Sequence, residues 1–89
     1  MIIVSYDISD TKLRTRFSKM LQKHGAIRLQ MSVYEVENTK RIMNNLIDRI
    51  EAYSKHFTYD DSVIIFDVKT ENVTKYGNAI HRDCSVVYF

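Results

Sequence analysis

Residues 1–10 read MIIVSYDISD, a stretch that carries a strand signal followed by a helix-start signal. Its first six positions are almost continuously apolar and rich in β-branched side chains, which is typical of a core strand covered on at least one face. Ser9 and Asp10 follow, and both carry side-chain oxygens that can cap a helix. The stretch therefore predicts a buried first strand that leads directly into a helix, with Asp7 at the carboxyl end of the strand.

Helix and strand signals alternate along the chain that follows. Apolar residues recur at helical spacing up to His24, and Gly25 provides a C-cap. From Ile27 to Val33 apolar residues alternate with polar ones, which predicts a second strand. The alternation slips by one position at Tyr34, and such a slip predicts either a β-bulge or a break into a third strand.

A second helix and a further core strand complete the pattern. Asn38 or Thr39 can cap a helix that ends near Lys55, and residues 63–68 read VIIFDV, a strand sequence. The resulting order βαββαβ is typical of the ferredoxin-like α+β fold, in which both helices lie on one face of the sheet. We predict one domain, with this core over residues 1–68 and a C-terminal extension with an additional strand over residues 69–89.

The predicted sheet leaves one face bare. Strands that bury only one face normally alternate apolar and polar residues, yet the first and last core strands are apolar at nearly every position. The bare face should therefore pack against something, and a second copy of the chain is the simplest candidate. We predict a homodimer that forms through the sheet faces.

The composition excludes several classes of protein. Hydrophobic residues make up 45% of the 89 residues, charged residues 27%, and the net charge is +2, as in an ordinary globular domain. The apolar runs are far shorter than the ~20 residues that a membrane helix needs. With a single cysteine, Cys84, and no signal-peptide pattern, we expect a cytoplasmic protein without a membrane partner.

Basic residues cluster in the first third of the chain. Residues 1–30 hold six basic and two acidic side chains, and four of the basic ones follow the helical period as one stripe. Such a stripe either is a solvated helix face or holds phosphates, and the clustering favours a polyanion partner. The candidate nucleic-acid-binding residues are Lys12, Arg14, Arg16, Lys19, Lys23 and Arg28.

Asp7 is the candidate for chemistry, because the carboxyl ends of strands are where sites collect in α/β sheets. The alternative is that it only helps to cap the helix. One carboxylate is a poor Mg²⁺ site, since this ion needs several oxygen ligands. A two-fold dimer that brought two Asp7 side chains together would supply a second carboxylate, and one metal ion shared between the subunits would relieve their repulsion.

The C-terminal residues form the last candidate site. Residues 85–89 read SVVYF, a short apolar strand that would invite aggregation if it were left exposed. We predict that it pairs with a sheet edge of the dimer mate or of another protein. The candidate partner-binding residues are Val86, Val87, Tyr88 and Phe89.

Residues 1–66 resemble a known family in order and spacing. The matching segments are Ile-Val-Ser-Tyr6-Asp7-Ile-Ser-Asp10, then Arg14 and Arg16, Gly25, and Gln30-Met-Ser32-Val-Tyr34-Glu35. They resemble the small CRISPR-associated adaptation subunit called Cas two. Where that family usually has Phe, this chain has Tyr34, which keeps the ring and adds a hydroxyl.

The resemblance implies a ferredoxin-like homodimer. Such a dimer sits between dimers of the CRISPR integrase and helps to capture duplex DNA, as fragment and repeat, during spacer acquisition. Members are also described as Mg²⁺-dependent endoribonucleases or nucleases, so single-stranded RNA is a further expected partner. In that role the resemblance assigns catalysis and metal binding to Asp7, with Tyr6 and Arg14 as further catalytic residues and Arg16 and Arg28 in support.

Two other functions stay open at this point. The first is a ribonuclease toxin similar to the virulence-associated D type, which shares this architecture. The second is a small-ligand regulatory module on the same fold, since fold does not fix function. A ligand module would need a glycine-containing loop between the first strand and helix, and the stretch from Asp7 to Lys12 has no glycine.

Overall fold

The computed structural model describes residues 1–79, and these contain six main elements. The elements are strand β1 (Ile2–Asp7), helix α1 (Thr11–Lys23), strands β2 (Ile27–Gln30) and β3 (Val33–Val36), helix α2 (Lys40–Ser54) and strand β4 (Ser62–Asp67). Two 3₁₀ turns follow, at Thr70–Asn72 and Gly77–Ala79. The predicted strand over residues 85–89, with its candidate partner-binding side chains, lies outside the described residues.

The four strands form one sheet in the order β2-β3-β1-β4, and every neighbouring pair is antiparallel. β1 is therefore a central strand, as its apolar sequence predicts. β1 and β2 run parallel to each other with β3 between them, and α1 makes the connection. Four antiparallel strands and two helices confirm the predicted α+β class.

Both helices begin where the sequence places caps, α1 ends just before Gly25, and α2 ends near Lys55, as predicted. The Asp10 carboxylate accepts the backbone N–H of Leu13 at 2.8 Å, and the Thr39 hydroxyl does the same for Ile42 at 3.2 Å. At the end of α1, Gly25 has a φ of 84°, which a residue with a side chain rarely adopts. Its N–H and that of the next residue bond back to α1 carbonyls, as in a Schellman motif. Neither helix in the described residues has the length and apolarity that a bilayer crossing requires.

The second predicted strand is shorter than the sequence pattern suggests. β2 ends at Gln30, a two-residue turn follows, and Val33 already belongs to β3. Met31 lies in the turn and is 80% exposed, so it does not point the same way as Ile27 and Leu29 in one continuous strand, as the alternation predicts. A register shift lies between Arg28 and Gln30, so the slip in parity marks both a strand break and an irregular register.

The core lies between the helices and one side of the sheet. Val4 and Tyr34 come from the sheet, and Phe17, Leu21 and Leu46 come from the helices; all are buried. Burying a large apolar side chain stabilises the fold by about 1.5–3 kcal/mol. Alternation along β1 therefore sends its even-numbered side chains to the helices and its odd-numbered ones to the opposite side.

The side of the sheet away from the helices, the open face, carries apolar groups that stay partly uncovered. Register pairing aligns Ile3 with Phe66 and Ser5 with Ile64 on this side. Phe66 is 46% exposed and Ile64 is 54% exposed. The open face is therefore a candidate contact surface.

The segment after β4 covers part of the open face. The Lys75 ammonium forms an ion pair with Glu35 of β3 at 2.6 Å, and both side chains are largely buried. The 3₁₀ turn Gly77–Ala79 then packs beside β2. Glu35 shares its side of the sheet with Ile3, because the two residues are register partners. The chain therefore crosses its own sheet from β4 towards the β2 edge.

Candidate functional site

Asp7 ends β1 on the open face. It pairs in register with Ser62 of β4, and its side chain is exposed. Ile8, the next residue, is buried, so the chain turns inward directly after the carboxylate. The structure thus places Asp7 at the strand end that the sequence predicts, on the side of the sheet where Ile64 and Phe66 are half-exposed.

Tyr6 points to the other side of β1 and is buried under the helices. Its ring stacks on that of Tyr34, with 6.1 Å between the centroids, and meets Phe17 edge-on at 4.9 Å. Burial, together with the nearby Tyr34 hydroxyl, raises the pKa of Tyr6, although Arg28 and Arg14 act in the opposite direction. The phenol therefore stays neutral at physiological pH.

The Tyr34 hydroxyl is the centre of a polar network beside this ring pair. It accepts a hydrogen bond from Nε of Arg28 at 3.0 Å and one from Nε2 of Gln22 at 3.2 Å. Burial alone would raise the pKa of Tyr34, but these two donors, with the positive charge of Arg28, more than offset burial and lower it. The hydroxyl that distinguishes this chain from the usual Phe therefore holds Arg28 and α1 together.

Arg14 braces the loop between β1 and α1. Its Nη1 donates to the carbonyl oxygens of Ile8 at 3.0 Å and Ser9 at 3.4 Å, and its Nη2 donates to the Thr11 hydroxyl at 3.3 Å. These bonds occupy much of the guanidinium. The structure thus gives Arg14 a definite local role in positioning the loop that follows Asp7.

The predicted catalytic residues do not form one cluster within a single chain. Asp7 and Tyr6 are neighbours on β1, so their side chains project to opposite sides of the sheet. Arg28 bonds to Tyr34, whose side chain lies in the core on the same side as Tyr6. The carboxylate and the tyrosine–arginine network are therefore separated by the thickness of the sheet.

Residues 1–79 of one chain offer too few ligands for a metal ion. No group of three or more His, Cys, Asp or Glu side chains comes together within residues 1–79. Asp7 offers one carboxylate, with the Ser62 hydroxyl in register across from it. Mg²⁺ prefers about six oxygen ligands, so the described residues of a single chain do not suffice for this ion.

The basic stripe of α1 borders a groove between the two helices. Recesses along this seam are lined by the four stripe residues of α1, and all the recesses share Tyr53 of α2. Tyr53 packs edge-on against Phe17 at 5.6 Å, and the Arg49 guanidinium lies 5.8 Å from the centre of its ring. We call this surface the helix seam: Lys12, Arg16, Lys19, Lys23, Arg49, Tyr53 and His56.

Sequence patterns missed the α2 side of the helix seam. Arg49, Tyr53 and His56 follow helical spacing with one another, which is a usable signal. Their position beside the α1 stripe, however, depends on how the two helices pack. The stripe itself is brought together as predicted, whereas Arg14 and Arg28 lie elsewhere.

A carboxylate that the sequence suggested only as part of a polar break also has a structural role. Asp61 accepts hydrogen bonds from the N–H and the hydroxyl of Ser9, both at 2.9 Å, and from the N–H of Thr58 at 2.9 Å. These bonds, of which the one from the Ser9 backbone contributes most, lower the pKa of Asp61. Asp61 thus ties the loop after Asp7 to the turn before β4.

Comparison with known proteins agrees with this fold. Residues 1–76 match the family model described as CRISPR associated protein Cas2. The chain belongs to the Cas2 family, as predicted from its sequence.

Two relatives illustrate the match. A curated relative from Pyrobaculum aerophilum, named CRISPR-associated endoribonuclease Cas2 2, is 24% identical over 66 residues, covering 74% of this chain and 72% of that protein. A solved structure titled "Crystal structure of cas2" has a TM-score of 0.70 and 28% identity, and the match covers 99% of this chain and 93% of that one.

Proposed function

We propose that this chain is a homodimeric subunit of CRISPR spacer acquisition that binds duplex DNA and the CRISPR integrase. The observation that carries the proposal is the division of the molecule into two opposite surfaces. The open face is apolar and partly uncovered, with Ile64 and Phe66 on it. The helix seam on the other side is cationic. Family membership favours this role over the toxin alternative.

A dimer through the open faces is supported by the exposed apolar groups. The strand order β2-β3-β1-β4 with two helical crossovers supports a ferredoxin-like arrangement, and neither α1 nor α2 covers this face. Two such faces in isologous contact would bury Ile64 and Phe66 of each copy. Asp7 shares the open face, so a two-fold axis near the end of β1 would bring two carboxylates together.

Duplex DNA is the proposed partner of the α1 stripe. Lys12, Arg16, Lys19 and Lys23 are exposed and line the helix seam. Contacts from such side chains to phosphates are independent of base sequence, which suits a subunit that handles fragments of varied sequence. The integrase is proposed to dock on the C-terminal segment that the sequence predicts to be a strand, through Val86, Val87, Tyr88 and Phe89.

Phosphodiester hydrolysis is the second part of the proposal. The Pyrobaculum relative is named an endoribonuclease, and the strand-end Asp7 is this chain's carboxylate for such chemistry. One Mg²⁺ shared by two Asp7 side chains would polarise the phosphodiester when bound. Tyr6 and Arg14 stay predicted contributors, acting through the loop and strand that orient Asp7.

Oligomeric state is the first test. We expect the wild type to sediment as a dimer and Ile64→Asp to sediment as a monomer, because the new charge would be buried in the interface. The matched control is Ile47→Asp, at an isoleucine that is 40% exposed and lies on α2 rather than on the sheet, and it should remain a dimer. The proposal would be contradicted if the wild type sedimented as a monomer and still bound DNA and cleaved RNA.

Cleavage is the second test. With Mg²⁺, we expect Asp7→Asn to lose at least about 100-fold of the RNA cleavage rate, while Asp67→Asn, another exposed aspartate at a strand end, retains it. Chelation should reduce the wild type to the level of Asp7→Asn. Equal activity of the wild type and Asp7→Asn would remove catalysis from the proposal and leave the DNA-binding part standing.

A further inference from the structure

We infer that the α2 side of the helix seam is a second phosphate-binding element, in which Tyr53 positions Arg49 to contact the backbone of a bound nucleic-acid strand. The inference rests on the proposed function of a nucleic-acid-binding subunit. It adds a ligand surface on α2 that the basic stripe of α1 does not include.

Charge supports this assignment. The helix seam contains five cationic side chains. Asp10 is the one carboxylate among the residues that line the recesses along the seam within residues 1–79. The Asp10 carboxylate is already engaged, because it accepts the N–H of Leu13. Within residues 1–79 the one ion pair joins Lys75 and Glu35, so no seam cation is neutralised by a carboxylate there. The surface is therefore complementary to a polyanion.

The contacts of Arg49 hold its guanidinium in position, unlike those of a freely moving surface side chain. Its guanidinium lies over the ring of Tyr53, and a guanidinium stacked in this way keeps its fork of N–H donors free for a phosphate. The Tyr53 ring is itself fixed by Phe17 at 5.6 Å, and its hydroxyl donates to the carbonyl oxygen of Arg16 at 3.4 Å. Tyr53 thus links the two helices and fixes Arg49 beside the α1 stripe.

The length of the helix seam fits several phosphates. Lys12 and Lys23 are separated by eleven helical positions, or about 16 Å at ~1.5 Å per residue. One strand of a duplex carries a phosphate about every 3.4 Å along the axis, so this length spans about five phosphates. Arg49 lines the same recess as Lys19 and Lys23, so its contact would fall within that stretch.

The experiment measures how the affinity for duplex and single-stranded oligonucleotides of equal length depends on salt. We expect Arg49→Gln to weaken binding about tenfold and to lower the slope of log K against log[salt] by about 0.9 per seam in contact with duplex, or about 0.7 with a single strand. The form whose affinity and slope respond to Arg49→Gln is the one that occupies the seam. Arg41→Gln, at an exposed arginine two turns earlier on α2, should change neither quantity.

Lys19→Gln separates this inference from the proposed function. If Lys19→Gln lowers the slope and Arg49→Gln does not, the inference is overturned and DNA binding by α1 stands. If neither variant changes the slope, both fall. Competition by polyglutamate as effective as that by nucleic acid would also overturn the inference, because it would show a surface for acidic protein instead.

Tyr53 is tested as a positioning residue with a double-mutant cycle. Tyr53→Leu should weaken binding in the wild type but not in the Arg49→Gln background, because it acts through Arg49. Tyr53→Phe keeps the ring and should retain most of the affinity. An equal loss from Tyr53→Leu in both backgrounds would show a structural role only and would overturn this part of the inference.

Discussion

The two sides of the sheet differ in what covers them, although the strands carry apolar side chains on both sides. On the helix side, Val4, Phe17 and Leu46 have no exposed surface. On the open face, Ile64 and Phe66 remain about half exposed. An apolar strand therefore indicates burial on both sides but not what provides it. On one side the chain's own helices provide it, and on the other side a second copy of the chain is proposed to do so.

The same division separates the chemistry. Tyr6 lies on the helix side, beside the Tyr34–Arg28 network, whereas Asp7 projects to the open face. Residues adjacent in sequence are thus given to different surfaces. A site that needs both would have to be completed around the end of β1 or by a second chain.

Truncating one large side chain on each side of the sheet should change stability by very different amounts. Phe17→Ala should lower the free energy of unfolding by about 3–5 kcal/mol, because it leaves a cavity in the core. Phe66→Ala should cost the folded monomer less than about 1 kcal/mol, since its ring is already half exposed. Urea denaturation of both variants measures the difference.

Protein concentration provides the control for this pair. If a partner copy covers the open face, the loss caused by Phe66→Ala should grow with protein concentration, because only the dimer contains that burial. The loss caused by Phe17→Ala should not depend on concentration in this way. Equal, concentration-independent losses for the two variants would mean that the two sides are not different in kind.

A smaller effect sharpens the description of the helix side. Tyr34→Phe removes the acceptor for Arg28 and Gln22 but keeps the ring, and we expect it to lower the free energy of unfolding by about 1 kcal/mol. Both donors are exposed enough to find water, which limits the loss. Tyr53→Phe removes a single, longer hydrogen bond of 3.4 Å from the Tyr53 hydroxyl. In urea denaturation it should therefore lower the free energy of unfolding less than Tyr34→Phe does. The reverse order would contradict the network.

The hydrogen bonds that Asp61 accepts from Ser9 and Thr58, which we call the clasp, should have a still smaller effect on stability. The effect depends on the charge of the Asp61 carboxylate. Its pKa in the folded chain is lowered by the Ser9 and Thr58 donors, so the clasp contributes stability above the unfolded pKa of about 3.9 and loses it as the pH falls through the folded value. Between pH 7 and pH 3 the wild type should therefore lose more melting temperature than Asp61→Asn. The neighbouring Asp60→Asn should follow the wild type. Parallel pH profiles for wild type and Asp61→Asn would exclude the clasp.

Local chemistry explains what the sequence predicts well. Helix boundaries at Asp10, Gly25 and Thr39 depend on side chains and backbone angles within a few residues, and the structure confirms them. The end of β2 is harder to predict, because Met31 and Val33 keep the apolar alternation across a two-residue turn. Period-two patterns therefore run through a tight turn without a visible break.

The remaining features depend on contacts between distant residues. The Asp61 clasp joins residues 52 positions apart, and the Arg49–Tyr53 side of the helix seam meets the α1 stripe only after the helices pack. Arg14 has a local role that its charge alone does not indicate. Its charge suggests a phosphate contact, but its neighbours in the loop offer three oxygen acceptors, which the structure uses.

The Lys75–Glu35 ion pair limits which part of the open face another molecule can contact. By crossing the sheet near Glu35, the segment after β4 shields the β2–β3 corner of the open face, within residues 1–79, from any second molecule. Accessible apolar area is thereby shifted towards β4 and the Asp7 end of β1. The segment after β4 thus reduces the part of the open face that a second copy can contact. A second copy that binds the remaining part would lie to one side of the sheet, next to Asp7.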